Sequence, residues 1–102
     1  LTELDVTNNT ALTELSCTRN QLTELDETSN TALTELSCTR NQLTEMDISN
    51  NQNLEYFGCL YNPGVNGVLR VKVWPGFDDV PEGFDSGSYY YNGSAVTIEY
   101  WK

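Results

Sequence analysis

A 21-residue unit repeats along this chain from Leu1 to Pro63, and no other feature narrows its fold as much. Leu1–Gln21 reads LTELDVTNNTALTELSCTRNQ and Leu22–Gln42 reads LTELDETSNTALTELSCTRNQ, differing only at Val6/Glu27 and Asn8/Ser29. A third copy, Leu43–Pro63, has diverged but holds Leu43, Asp47, Asn50, Asn51, Leu54, Cys59 and Asn62 in register. A unit this short cannot bury its apolar side chains alone, so it must stack on its neighbours as a solenoid. Within each unit LTEL recurs in steps of 11 and 10 residues, at Leu1, Leu12, Leu22 and Leu33, then as LTEM at Leu43 and LEYF at Leu54. Apolar residues in each half lie two apart, as in Leu4–Val6 and Leu15–Cys17, which is the period of a strand. A half-coil has no room for an ordinary helix and two turns. Each coil therefore reads as two short extended segments joined by Asn- and Thr-rich corners, stacked at ~4.8 Å so that backbone groups pair between coils.

Stacking turns the sequence into columns. Leu1/Leu22/Leu43, Leu4/Leu25/Met46, Leu12/Leu33/Leu54 and Leu15/Leu36/Phe57 form the expected core. Val6/Glu27/Ile48 breaks the pattern with a carboxyl group, which must reach solvent, find a cation or raise its pKa. The expectation is that Glu27 swings out at a coil edge; the sharper alternative is a partner contact. Asn20/Asn41/Asn62 and Asn9/Asn30/Asn51 fall at the corners, where side-chain amides can satisfy backbone groups left unpaired by the bend. Cys17, Cys38 and Cys59 share an inward column and read as free thiols, since three is odd and an apolar core disfavours the thiolate. Two acidic columns, Glu3/Glu24/Glu45 and Asp5/Asp26/Asp47, offer oxygen ligands to calcium, but flat ladders lack the carbonyls of a bent loop, so they read as a solvated face. Asp78, Asp79, Glu82 and Asp85 miss the EF-hand spacing.

The run Leu12–Leu15–Cys17–Asn20–Leu22, repeated as Leu33–Leu36–Cys38–Asn41–Leu43, resembles the leucine-rich repeat, in the short-coil form of bacterial cell-surface proteins. The resemblance implies a leucine-rich repeat solenoid, mostly β with no long helices, secreted or held at a bacterial cell surface. It places the ligand surface on the outward residues of the LxxLxC segments: Glu14, Ser16 and Thr18, then Glu35, Ser37 and Thr39, then Tyr56, Gly58 and Leu60. Tyr61 replaces Arg19 and Arg40 at the edge of that face. Glu14, Glu35, Tyr56, Leu60 and Tyr61 are the candidate partner contacts, with Tyr56 and Leu60 open to the alternative that the C-terminal cap covers them.

After Asn62-Pro63-Gly64 the composition shifts to Val, Gly and aromatics, with nine of the eleven aromatic residues beyond residue 60. Val68–Trp74 alternates apolar and basic residues as a strand continuing the ladder. Asn92-Gly93 between Ser88–Tyr91 and Ser94–Trp101 is a hairpin signal, and residues 75–87 read as loop. The expected organisation is three coils, 1–21, 22–42 and 43–63, with capping strands at 64–102 in the same domain.

Composition bounds the function. The net charge of −10 disfavours nucleic acid, which is bound through Lys and Arg. Without histidine, the usual nucleophile–His triads and His-ligated zinc are excluded, and no apolar run is long enough to span a membrane. An exposed ladder of acids gives its members nearly equal environments, unlike the unequal pair that acid–base catalysis needs. The expectation is a non-enzymatic module without cofactor or metal that binds a protein or a carbohydrate through its outward strand faces. The alternative is a structural spacer, favoured by the near identity of the first two coils. The uncapped first coil is expected to receive further coils or to self-associate.

Overall fold

The second half of each repeat forms a rung of parallel sheet. A computed structural model describes residues 2–102, with strands β1 Glu14–Ser16, β2 Glu35–Ser37, β3 Glu45–Asp47, β4 Tyr56–Gly58, β5 Val68–Lys72, β6 Ser88–Tyr91 and β7 Ser94–Trp101. Strands β1, β2 and β4 pair in that order, with Glu14, Glu35 and Tyr56 in register and Leu15, Leu36 and Phe57 pointing inward together. The 21-residue period is thus the register of the sheet. The chain is a mostly β solenoid of about four turns, with no helix among the described residues.

The fourth turn comes from the C-terminal segment. Strand β5 pairs parallel with β3, and β7 with β5. The hairpin β6–β7 closes the sheet in the order β3-β5-β7-β6, with Asn92 and Gly93 both at positive φ, as a two-residue hairpin turn requires. On the opposite side the segment expected to be loop supplies one more rung. Phe84 bridges Phe57, the Phe57 amide donates to the Gly83 carbonyl, and the Asp85 amide donates to the Phe57 carbonyl. Asp85 also accepts the Cys59 amide through its carboxylate at 2.9 Å. Phe84, Phe77 and Tyr100 pack ring against ring beneath this rung.

The first halves of the coils behave differently. Among the described residues only the third coil forms a strand there, β3, and the segments around Leu4 and Leu25 are not paired as a ladder. A groove of about 660 Å³ opens between Thr2–Asp5 and Thr23–Asp26. On this side strand pairing starts only at the third coil, and local side-chain bonds shape the two coils before it. Asp5, Asp26 and Asp47 each accept the amide and hydroxyl of the residue two places on (Thr7, Thr28, Ser49), with hydroxyl distances of 2.6 Å. The outer acidic column therefore forms turns.

The core follows the predicted columns: Leu22, Leu33, Leu36, Leu43 and Phe57 are fully buried, while Leu1 lies outside the described residues. The three cysteines are free and buried. Burial pushes the Cys17 thiol up to about 11, and the Cys38 and Cys59 thiols are raised further by the same cause. Leu12 and Leu15 in the first coil are only half-buried, and β1 is an edge strand.

Two asparagine ladders hold the corners. At one, Asn41 donates to the carbonyls of Cys17 and Cys38 and accepts the Leu22 amide; Asn62 repeats this one coil on, accepting Asn41 and Leu43. At the other, Asn30 donates to Val6 and Asn9, and Asn51 to Glu27 and Asn30, but neither side-chain oxygen has a partner. Glu27 shares this second corner. Contrary to expectation it does not swing out: it is 0% exposed, with both carboxyl oxygens unpartnered. The stack holds it inward because residues 6, 27 and 48 occupy equivalent places between the same corner and core. Burial pushes its pKa up to about 8, so it stays protonated at neutral pH.

Candidate functional site

The outward face of β1, β2 and β4 presents the residues expected for recognition. Alternate residues of a strand point to opposite faces, so burying Leu15, Leu36 and Phe57 turns Glu14, Ser16, Glu35, Ser37 and Tyr56 outward. They line a shallow groove of about 480 Å³. Tyr56 is 44% exposed, so the cap does not cover it. Its side chain lies back across β4: a Cβ on Gly58 would stand 3.0 Å from the Tyr56 hydroxyl and 3.2 Å from Thr39 Oγ1. Glycine at 58 thus lets the ring settle on the sheet, beside Ser37, which shares a 2.8 Å hydroxyl bond with Thr18. Leu60 and Tyr61 are half-buried and pack against the core, so they offer less surface than Glu14, Glu35 and Tyr56.

Glu14 and Glu35 face each other in register at the other end of this face. A side-chain hydrogen bond with Glu14 raises the Glu35 pKa, and repulsion from Glu14 and then Glu55 adds to it. Among the described residues no three His, Cys, Asp or Glu side chains converge as metal ligands.

Tyr61 lies at the corner past the face, where each coil bends through one left-handed residue: Arg19, Arg40 and Tyr61 have φ of 61°, 61° and 60°. The bend lets the following Asn turn inward to its ladder and sends the Arg or Tyr side chain outward. Arg40 caps the Tyr61 ring at 4.5 Å, and Tyr61 packs edge-on against Tyr89. Tyr89 in turn donates its hydroxyl to the Asn62 carbonyl, tying the closing hairpin to the ladder. Burial pushes the Tyr89 pKa up to about 12. Tyr90 and Tyr91 of β6 border the same corner, which the strand-face reading overlooked. Its one sequence signal is that Arg19 and Arg40 are the only cations before residue 70.

No helix among the described residues is long and apolar enough to cross a membrane. Compared with protein-family models, curated proteins and solved structures, the chain matches none.

Proposed function

We propose that this chain is a non-enzymatic recognition module of leucine-rich-repeat type, acting outside the cell at a bacterial surface and binding a protein or glycan through the outward face of β1, β2 and β4. The observation that carries this reading is Tyr56, an aromatic ring 44% exposed on a backbone-paired sheet, braced against Gly58 and flanked by hydroxyl and carboxyl groups. Exposed tyrosines on rigid supports are efficient anchors, since they bury much area for little lost freedom. The test is capture from bacterial-envelope and host-surface extracts with the parent and with Tyr56→Ala, both confirmed folded. Loss of a captured partner in the variant supports the strand face; equal capture by both refutes it.

A structural spacer is the second reading. It draws support from the repetition of Glu14, Ser16 and Thr18 unchanged as Glu35, Ser37 and Thr39, since a tuned interface calls for different residues in each coil.

A further inference from the structure

The chain carries a net charge of −10. Grooves of about 660, 480, 250 and 410 Å³ are each lined by at least two carboxylates, such as Glu3 and Asp26, Glu14 and Glu35, Glu24 and Asp47, and Glu45 and Glu99. The groove at the left-handed corner has none. It measures about 330 Å³, and Arg40, Gln42, Tyr61, Tyr90, Tyr91 and Asn92 are among its lining residues.

Its cations also stand apart. Arg70 pairs with Glu99, Lys102 pairs with Asp78, and Lys72 lies over the Trp101 ring. Arg40 stacks over the Tyr61 ring, and neither it nor Arg19, one coil away along the backbone bonds that join Arg19 to Thr39 and Arg40 to Leu60, has an acidic partner among the described residues. Arg19, Arg40 and Tyr61 are also held at a backbone angle that Gly or Asn adopts more readily. Tyr90 of β6, 74% exposed, stands beside Arg40 and Tyr61.

We propose that this corner is a binding site for a carboxylate-bearing saccharide. The Arg40 guanidinium in the groove, with Arg19 at the equivalent position one coil away, offers forked donors to carboxylates. The Tyr90 and Tyr91 rings offer faces to the apolar side of a sugar ring, and the Gln42 and Asn92 amides can exchange hydrogen bonds with its hydroxyls. An acidic peptide would satisfy the charge but leave the Tyr90 face without a flat partner. The site stands apart from the strand-face reading and shares only Tyr61 with it.

The test is a titration of a four-unit β-1,4-linked glucuronate oligomer, followed by nuclear magnetic resonance with Arg Nε–H detection. Cellotetraose is the neutral counterpart and tetraglutamate the charge-matched peptide. The expected result is saturable binding that shifts Arg40, Tyr90 and Asn92, at least about tenfold tighter than for either control. Arg19→Asn/Arg40→Asn should weaken binding by at least about tenfold while keeping the parent's denaturation midpoint or raising it, because Asn tolerates the left-handed angle. Tyr90→Ala should weaken binding and Tyr56→Ala should not. Equal binding of tetraglutamate would reduce the site to general electrostatics and overturn the proposal. Equal binding of cellotetraose, binding retained by the double variant, or no binding at millimolar oligomer would each overturn it as well.

Discussion

Replacing Glu27 with Val should stabilise the protein, by an amount that depends on pH. Glu27 is 0% exposed, neither of its carboxyl oxygens has a partner, and the equivalent residues in the adjoining coils are Val6 and Ile48, 5% and 0% exposed. Its carboxyl pKa rises from 4.5 to about 8 on folding, chiefly through burial, with the Asp47 and Asp26 charges adding to the rise. Below pH 4.5 both folded and unfolded chains hold the proton, and no linkage cost arises. Between 4.5 and 8 the unfolded chain releases the proton and the folded chain keeps it, so the fold loses ~1.4 kcal/mol per pH unit from this group. The loss amounts to about 3 kcal/mol at pH 7 and levels off near about 5 kcal/mol above pH 8. Valine removes that cost and restores an apolar column. Urea unfolding of parent and variant at pH 5, 7 and 9 measures the difference, in which titrations common to both chains cancel. The stability gap should widen with pH and then flatten. Parallel profiles across that range, or a valine variant less stable at pH 7, would refute the inference that Glu27 is buried and protonated. Glu27→Gln should flatten the pH dependence while keeping a buried polar group, and so gain less than valine.

Other outcomes follow from the same stacking. Asn41→Ala should cost about 3 kcal/mol, because it strands the Cys17 and Cys38 carbonyls and the Leu22 amide; Asn51→Ala, whose oxygen bonds nothing, should cost less in the same urea experiment. Gly83→Ala should destabilise by roughly 1–3 kcal/mol, since its Cβ would fall 2.2 Å from the Glu55 carbonyl oxygen and push the last rung away. Iodoacetamide at pH 8 should leave Cys17, Cys38 and Cys59 unmodified in the folded protein and label all three in urea, as mass spectrometry would read; their burial and raised pKa values both oppose reaction.

Much of the molecule is legible in its columns. The 21-residue period became the register Leu15–Leu36–Phe57, the asparagine positions became the corners, and Asn92-Gly93 became the hairpin turn. These follow from local rules of alternation and turn chemistry together with the repeat. The candidate face was legible for the same reason, since burying one side of a strand exposes the other. Leu60 was less so, because its exposure depends on how the chain bends after β4. The corner groove was hidden because Tyr90 and Tyr91 are far from Arg40 in sequence and meet it only when the hairpin closes on the ladder.

What the sequence alone determined is the one-dimensional order: a β solenoid, its period, its core columns, its corners and a C-terminal closure. Repetition makes each coil the template for the next, so nearest-neighbour stacking suffices to fix these. Tertiary structure decided what depends on distance across the coil. It left the first halves of the first two coils without strand pairing, recruited Phe84 as an additional rung, and closed the stack over Glu27. It also gathered Arg40 and three tyrosines at one corner of an acidic protein. Those outcomes depend on how closely separate segments approach in space, which no local pattern encodes.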